Sequence, residues 1–112
     1  MSMSREEIAR IFPEMVAQFK PEKAEGVNAA IQFDLAGDNG GLYWLRIADQ
    51  TATTGEGKVE DPKMTIKGDA DDYVAMAQGE LNPMQAFMSG RIKIQGDMGL
   101  AMKFINMFDV PH

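Results

Sequence analysis

The residue types that most often carry out chemistry are scarce or poorly placed in this chain. Histidine occurs once, as His112 at the end of the sequence, where a chain terminus holds neither a general base nor a metal ligand in fixed geometry. Cysteine is absent, which removes thiol nucleophiles, disulfides and thiolate metal sites and fits a reducing compartment. Asp71 and Asp72 pair two carboxylates, the arrangement of general acid and base work. Both fall in the first turn of a predicted helix, however, where negative charge favours the macrodipole, so a structural role is the reading adopted. The glycine-rich stretches 37–41 (GDNGG) and 96–99 (GDMG) lack the spacing of a phosphate-cradling loop or a dinucleotide fingerprint and read as turns. Asp34, Asp38 and Asp49 miss the ligand spacing of a calcium loop. The expectation is a non-enzymatic chain with no cofactor and no metal, and no turnover of esters or thioesters, because no activated nucleophile is in sight.

What the sequence offers instead is apolar surface. There are ten methionines, and seven of them (Met64, Met76, Met84, Met88, Met98, Met102 and Met107) stand at or beyond position 64. Methionine is flexible and polarizable, which suits core gaps and equally suits surfaces that accept more than one shape. Over residues 98–108, only Gly99, Lys103 and Asn106 interrupt an apolar helical sequence. At about 100° per residue those three fall within roughly 60° of one another, so most of the circumference is apolar. Packing on a sheet accounts for one apolar face; the remainder needs more core, another subunit or a bound apolar ligand. Leu81, Met84, Phe87 and Met88 extend the surplus upstream, and two such helices over one sheet would either complete a packed core or enclose a cavity.

The elements that must position these residues can be read from periodicity. Ser4 and Glu7 form a capping box with Met3 and Ile8 as a hydrophobic staple, and Ile8, Ile11, Phe12, Met15, Val16 and Phe19 recur at helical spacing. Pro13 lies inside that pattern and predicts a kink, or a second helix restarting there. Residues 21–25 add a turn stopped by Gly26. From Val27 the period becomes two, giving strands over 27–35, 42–48 and 51–57 in an antiparallel meander. A short strand at 64–67 follows, then a helix capped by Asp69 and ending at Gly79, and a second helix capped by Asn82 with Pro83 first and Gly90 after it. Ile92 and Ile94 mark a fifth strand, and Asp97 caps a last helix to about Phe108. The two-helix excursion is long enough for a crossover between parallel neighbours. The expected fold is α+β: a five-stranded sheet, made of the meander plus two further strands, with helices covering one face.

At 112 residues and 12.3 kDa, the chain has room for one domain, 1–112, and one core. The formal charge of -6 repels nucleic acid and favours solubility. Residues 1–10 carry Arg5, Glu6 and Glu7 where a signal peptide needs an apolar stretch, and no apolar run approaches the ~18 residues of a membrane span. A cytoplasmic location is expected.

Residues 79–103, GELNPMQAFMSGRIKIQGDMGLAMK, closely resemble the C-terminal signature of the sterol carrier protein 2 domain. The amphipathic first helix, PEKAEGVNAAIQFDL at 21–35 and PKMTI at 62–66 agree with it, so the resemblance spans essentially the whole chain. It implies an elongated apolar tunnel between sheet and helices that accepts fatty acids, fatty acyl-CoA, sterols or phospholipids with little selectivity, and no catalysis by the lone domain. Some members of that family end in a peroxisomal tripeptide resembling Ser-Lys-Leu, whereas this chain ends Val110-Pro111-His112, so a peroxisomal address is not expected.

Taken together, the residues expected along the tunnel are Phe33, Trp44, Leu45, Met84, Phe87, Met88, Met98, Met102, Ile105 and Phe108. Within the last helix, Leu100, Phe104 and Met107 are assigned to the core and the Met98, Met102, Ile105 row to the tunnel, because methionine suits a wall that must adapt. The expected partner is a lipid or other long apolar ligand, with at most transient membrane contact. The alternative is a dimerisation or accessory module for a lipid-metabolising enzyme, with the C-terminal helix as the homodimer surface.

Overall fold

A computed structural model of the chain describes residues 5–106, apart from the side chains of Arg5, Pro83, Phe104, Ile105 and Asn106. The elements run α1 (Arg5–Ala17), a 3-10 turn (Pro21–Ala24), β1 (Ala29–Ala36), β2 (Gly41–Ala48), β3 (Thr51–Glu56), β4 (Met64–Asp69), α2 (Ala70–Ala77), α3 (Pro83–Met88), β5 (Ile92–Gly96) and α4 (Met98–Asn106). The Ser4 cap and Met3 staple lie outside the described residues. α1 is one continuous helix. Pro13 sits on its exposed side, where a lost helical hydrogen bond costs least, so no second helix restarts there.

The strands form a single sheet in the order β3-β2-β1-β4-β5. β1, β2 and β3 are the antiparallel meander, closed between β2 and β3 by Asp49 and Gln50. Both of these have positive φ, 52° and 58°, as a two-residue hairpin turn matched to strand twist requires. The expected crossover is corrected by the register. β4 and β5 are antiparallel, and the parallel neighbours are β1 and β4. α2 and α3 have only eight and six residues, and they return the chain to the end of the sheet from which it left.

The true crossover has no helix. β3 and β4 both run with β1, so residues 57–63 must carry the chain back along the sheet. They do so across the face opposite the helices. Gln32 alternates with the buried Ile31 and Phe33 and therefore points to that face. Its Nε2 donates to the carbonyls of Tyr43 (2.9 Å) and Gly57 (3.0 Å), and its Oε1 accepts from the Val59 N–H (2.8 Å). Gln32 is only 8% exposed, and the three bonds satisfy its buried amide.

On the helical face, Ile31, Phe33, Leu35, Tyr43, Leu45, Ile47, Met64, Ile66 and Ile92 meet Ile8, Ile11 and Phe12 of α1 and Tyr73 and Val74 of α2 in one cluster. Its centre is aromatic. The Phe12 ring lies 4.4 Å from Tyr43 and 5.6 Å from Tyr73, stacked on both, and 5.0 Å edge-on from Phe33. The Tyr73 hydroxyl donates to Met15 Sδ at 3.0 Å. Burial pushes its pKa far above the ordinary phenol value, because a phenolate would have no water to solvate it.

Candidate functional site

β5 is an edge strand, and α3 and α4 pack beside it. Asn82 starts α3: its Oδ1 accepts the N–H groups of Met84 (2.8 Å) and Gln85 (3.3 Å). Ala86 is fully buried and seats the helix, which turns the i,i+4 pair Met84 and Met88 outward, at 44% and 80% exposure. α4 begins the same way, with Asp97 Oδ1 accepting the Leu100 N–H at 3.0 Å. Its direction is set just before, at Gly96. There φ is +106° and a side chain would collide with the Lys63 carbonyl, so only glycine fits.

Leu100 and Ala101 turn α4 into the core. The i,i+4 pair Met98 and Met102 is left outside, at 44% and 57% exposure. Leu100 thus lies on the core side, as expected, and the two methionines on the other. Phe104 and Ile105 belong to α4, but their side chains, like Met107 and Phe108 altogether, lie outside the description. Phe87 is half-buried, and so are Leu81 and Ile94, which pack against the core.

The remaining residues expected along the tunnel belong to the central strands β1 and β2. Phe33 and Leu45 are fully buried in the core, and the Phe12 edge occupies the space over Phe33. Trp44 lies on the opposite face of the sheet. It alternates with the buried Tyr43 and Leu45, and its indole rests on Gly55 of β3, where an added Cβ would come within 2.5 Å of the ring. Trp44 therefore faces away from the helical side of the sheet, where α3, carrying Met84, Phe87 and Met88, and α4, carrying Met98 and Met102, contact β5. Sequence reasoning passed over Ile94 and Tyr73. Ile94 was visible in the alternation of Ile92 and Ile94, whereas nothing local marks Tyr73 as the centre of the core.

The chemistry of this arrangement is apolar. Among the described residues, no group of three or more acidic or histidine side chains is placed to hold a metal ion. Asp69 Oδ1 accepts the Asp71 N–H, and Asp71 Oδ1 accepts from Asn39 Nδ2, both at 2.9 Å. These carboxylates cap α2 and tie it to the β1–β2 turn. Among the described residues, no helix is long and apolar enough to cross a membrane.

The sequence profile of the SCP-2 sterol transfer family matches residues 11–109. The chain belongs to this family. Lipid binding or transfer is accordingly its functional class. Hydroxysteroid dehydrogenase-like protein 2 of Danio rerio is 33% identical over 103 residues, which cover 89% of this chain but only 24% of that protein. The chain therefore spans about a quarter, or less, of the curated relatives it matches. Among solved structures, the sterol carrier protein domain 2 of Helicoverpa armigera has a TM-score of 0.65 and 30% identity, covering 90% of this chain and 81% of that one. Palmitated SCP2L2 of Aedes aegypti has a TM-score of 0.75 and 22% identity, with 98% of each chain covered. Both likenesses support the same five-stranded SCP-2 fold.

Proposed function

We propose that this SCP-2 domain is a non-enzymatic carrier that takes up fatty acids, fatty acyl thioesters, sterols or phospholipids with little discrimination among them. The observation that carries the proposal is the pair of apolar helices at the β5 edge, with Met84, Met88, Met98 and Met102 left outside the core in a chain whose family is a lipid-transfer family. In this reading the ligand enters between sheet and helices, with Phe87 and the outward-facing Met84, Met88, Met98 and Met102 forming apolar surface at the mouth; Ile105 and Phe108, also expected there, lie outside the described side chains. Burial of acyl methylenes supplies the affinity, at about 25 cal/mol per Å² removed from water. Mechanism is sequestration followed by release at a lipid surface, in the cytoplasm. The palmitated state of the Aedes aegypti relative supports an acyl cargo.

A second reading has its own observation: the curated relatives are several times longer than this chain. In that reading the domain is a dimerisation or accessory module, and the surface at α3 and α4 buries against a second copy or an enzyme. Native mass spectrometry of the purified protein, followed by calorimetric titration with palmitate, separates the two. Co-purified lipid and palmitate uptake by a monomer support the carrier. Concentration-dependent association without uptake overturns it in favour of the module.

A further inference from the structure

Every large apolar side chain that is exposed among the described residues is a methionine: Met84, Met88, Met98 and Met102. Leucine or isoleucine would present as much apolar surface, but only a thioether can be made polar by a single oxygen atom. The other described methionines are shielded. Met64 is 1% exposed, Met15 is half-buried with its sulfur accepting the Tyr73 hydroxyl at 3.0 Å, and Met76 is half-buried against the core. The four exposed methionine side chains form two i,i+4 pairs, one on α3 and one on α4, and both helices contact β5.

We propose that these four exposed methionines are peroxide-modification sites, at which sulfoxide formation turns apolar surface polar and weakens its association with apolar partners. The thioether lone pair attacks one oxygen of hydrogen peroxide or an organic hydroperoxide, and the S–O bond forms as the O–O bond breaks. The proton on the attacked oxygen passes to the departing hydroxide or alkoxide, which leaves as water or alcohol. Sulfur is oxidised by two electrons and the peroxide is reduced by two. The consequence for cargo rests on the carrier reading; the modification itself does not.

The test exposes the full chain to graded hydrogen peroxide and maps added oxygen by peptide mass spectrometry. Retention on a phenyl column and palmitate uptake are followed alongside, with circular dichroism as a check on folding. Met88 should acquire oxygen first, about tenfold faster than Met64, whose sulfur must wait for local opening. The oxidised protein should keep its dichroism, elute earlier and take up less palmitate, and methionine sulfoxide reductases should restore both properties. A variant carrying Met84→Leu, Met88→Leu, Met98→Leu and Met102→Leu should show no peroxide-dependent shift in elution. Equal oxidation of Met64 and Met88, unchanged elution after oxidation, or a shift that persists in the leucine variant overturns the proposal. Failure of the unoxidised protein to take up palmitate overturns the carrier reading instead, and the oxidation order and column shift still decide this one.

Discussion

Tyr73 shows how much a single buried polar atom can reveal. Its hydroxyl has a weak acceptor, Met15 Sδ, and its ring closes an aromatic cluster with Phe12 and Phe33. Because burial raises its pKa, the folded phenol stays protonated at a pH where the unfolded phenol, near 10, has begun to ionise. The native state then binds more protons, so stability falls as pH rises past about 10. This contribution is fully present below that pH and is lost as the folded group titrates. Tyr73→Phe should cost less than about 1.5 kcal/mol at neutral pH, where it removes one weak hydrogen bond. Its melting temperature should decline less steeply than that of the wild type between about pH 9 and about pH 11. Thermal melts of both proteins across that range check the expectation, and parallel curves would show that Tyr73 does not set the alkaline limit.

At the scale of elements, the sequence was most legible where period and caps agree. The α1 stripe, the three meander strands, and the caps Asp69, Asn82 and Asp97 all stand where spacing placed them. The strand order was not legible, because a connection long enough to cross a sheet is also long enough to turn back. Nor was the crossover at 57–63, which depends on Gln32, a residue that reads locally as one polar position of an alternating strand. Gln32→Ala would leave the Val59 N–H without its side-chain acceptor and take one donor from each of two carbonyls, at about 1 to 3 kcal/mol for a buried unsatisfied group. Hydrogen exchange should quicken at Val59 before it does in β1. The rotation of α4 makes a second comparison. Leu100→Ala should cost about 2 to 5 kcal/mol, whereas Met102→Ala, more than half exposed, should cost well under that and act on acyl-chain uptake. Denaturant melts and palmitate titrations on the two variants check it, and equal stability losses would show α4 turned differently.

At the scale of the molecule, the division of labour is between the faces of one sheet. The helical face holds the core and, along the β5 edge, the apolar surface available to a partner. The opposite face carries the crossover strap and Trp44. That division sorts the strand residues expected along a tunnel: large apolar residues in a strand announce burial without saying on which side, or against what, and Phe33 and Leu45 face the helices while Trp44 faces the other way. On the carrier proposal, a methionine-rich wall implies low selectivity, since one methylene contributes only ~0.8 kcal/mol and the wall can repack. Uptake measured over a series of saturated fatty acids should therefore change gradually with chain length, and a sharp optimum at one length would contradict a methionine wall. The position of Trp44 governs how such measurements can be made. It is the only tryptophan, and it faces away from the helical side of the sheet, so on the carrier proposal its intrinsic emission reports global unfolding while remaining nearly blind to cargo. Where calorimetry records palmitate uptake, a flat tryptophan-fluorescence titration would be the expected signature of a site on the other side of the sheet.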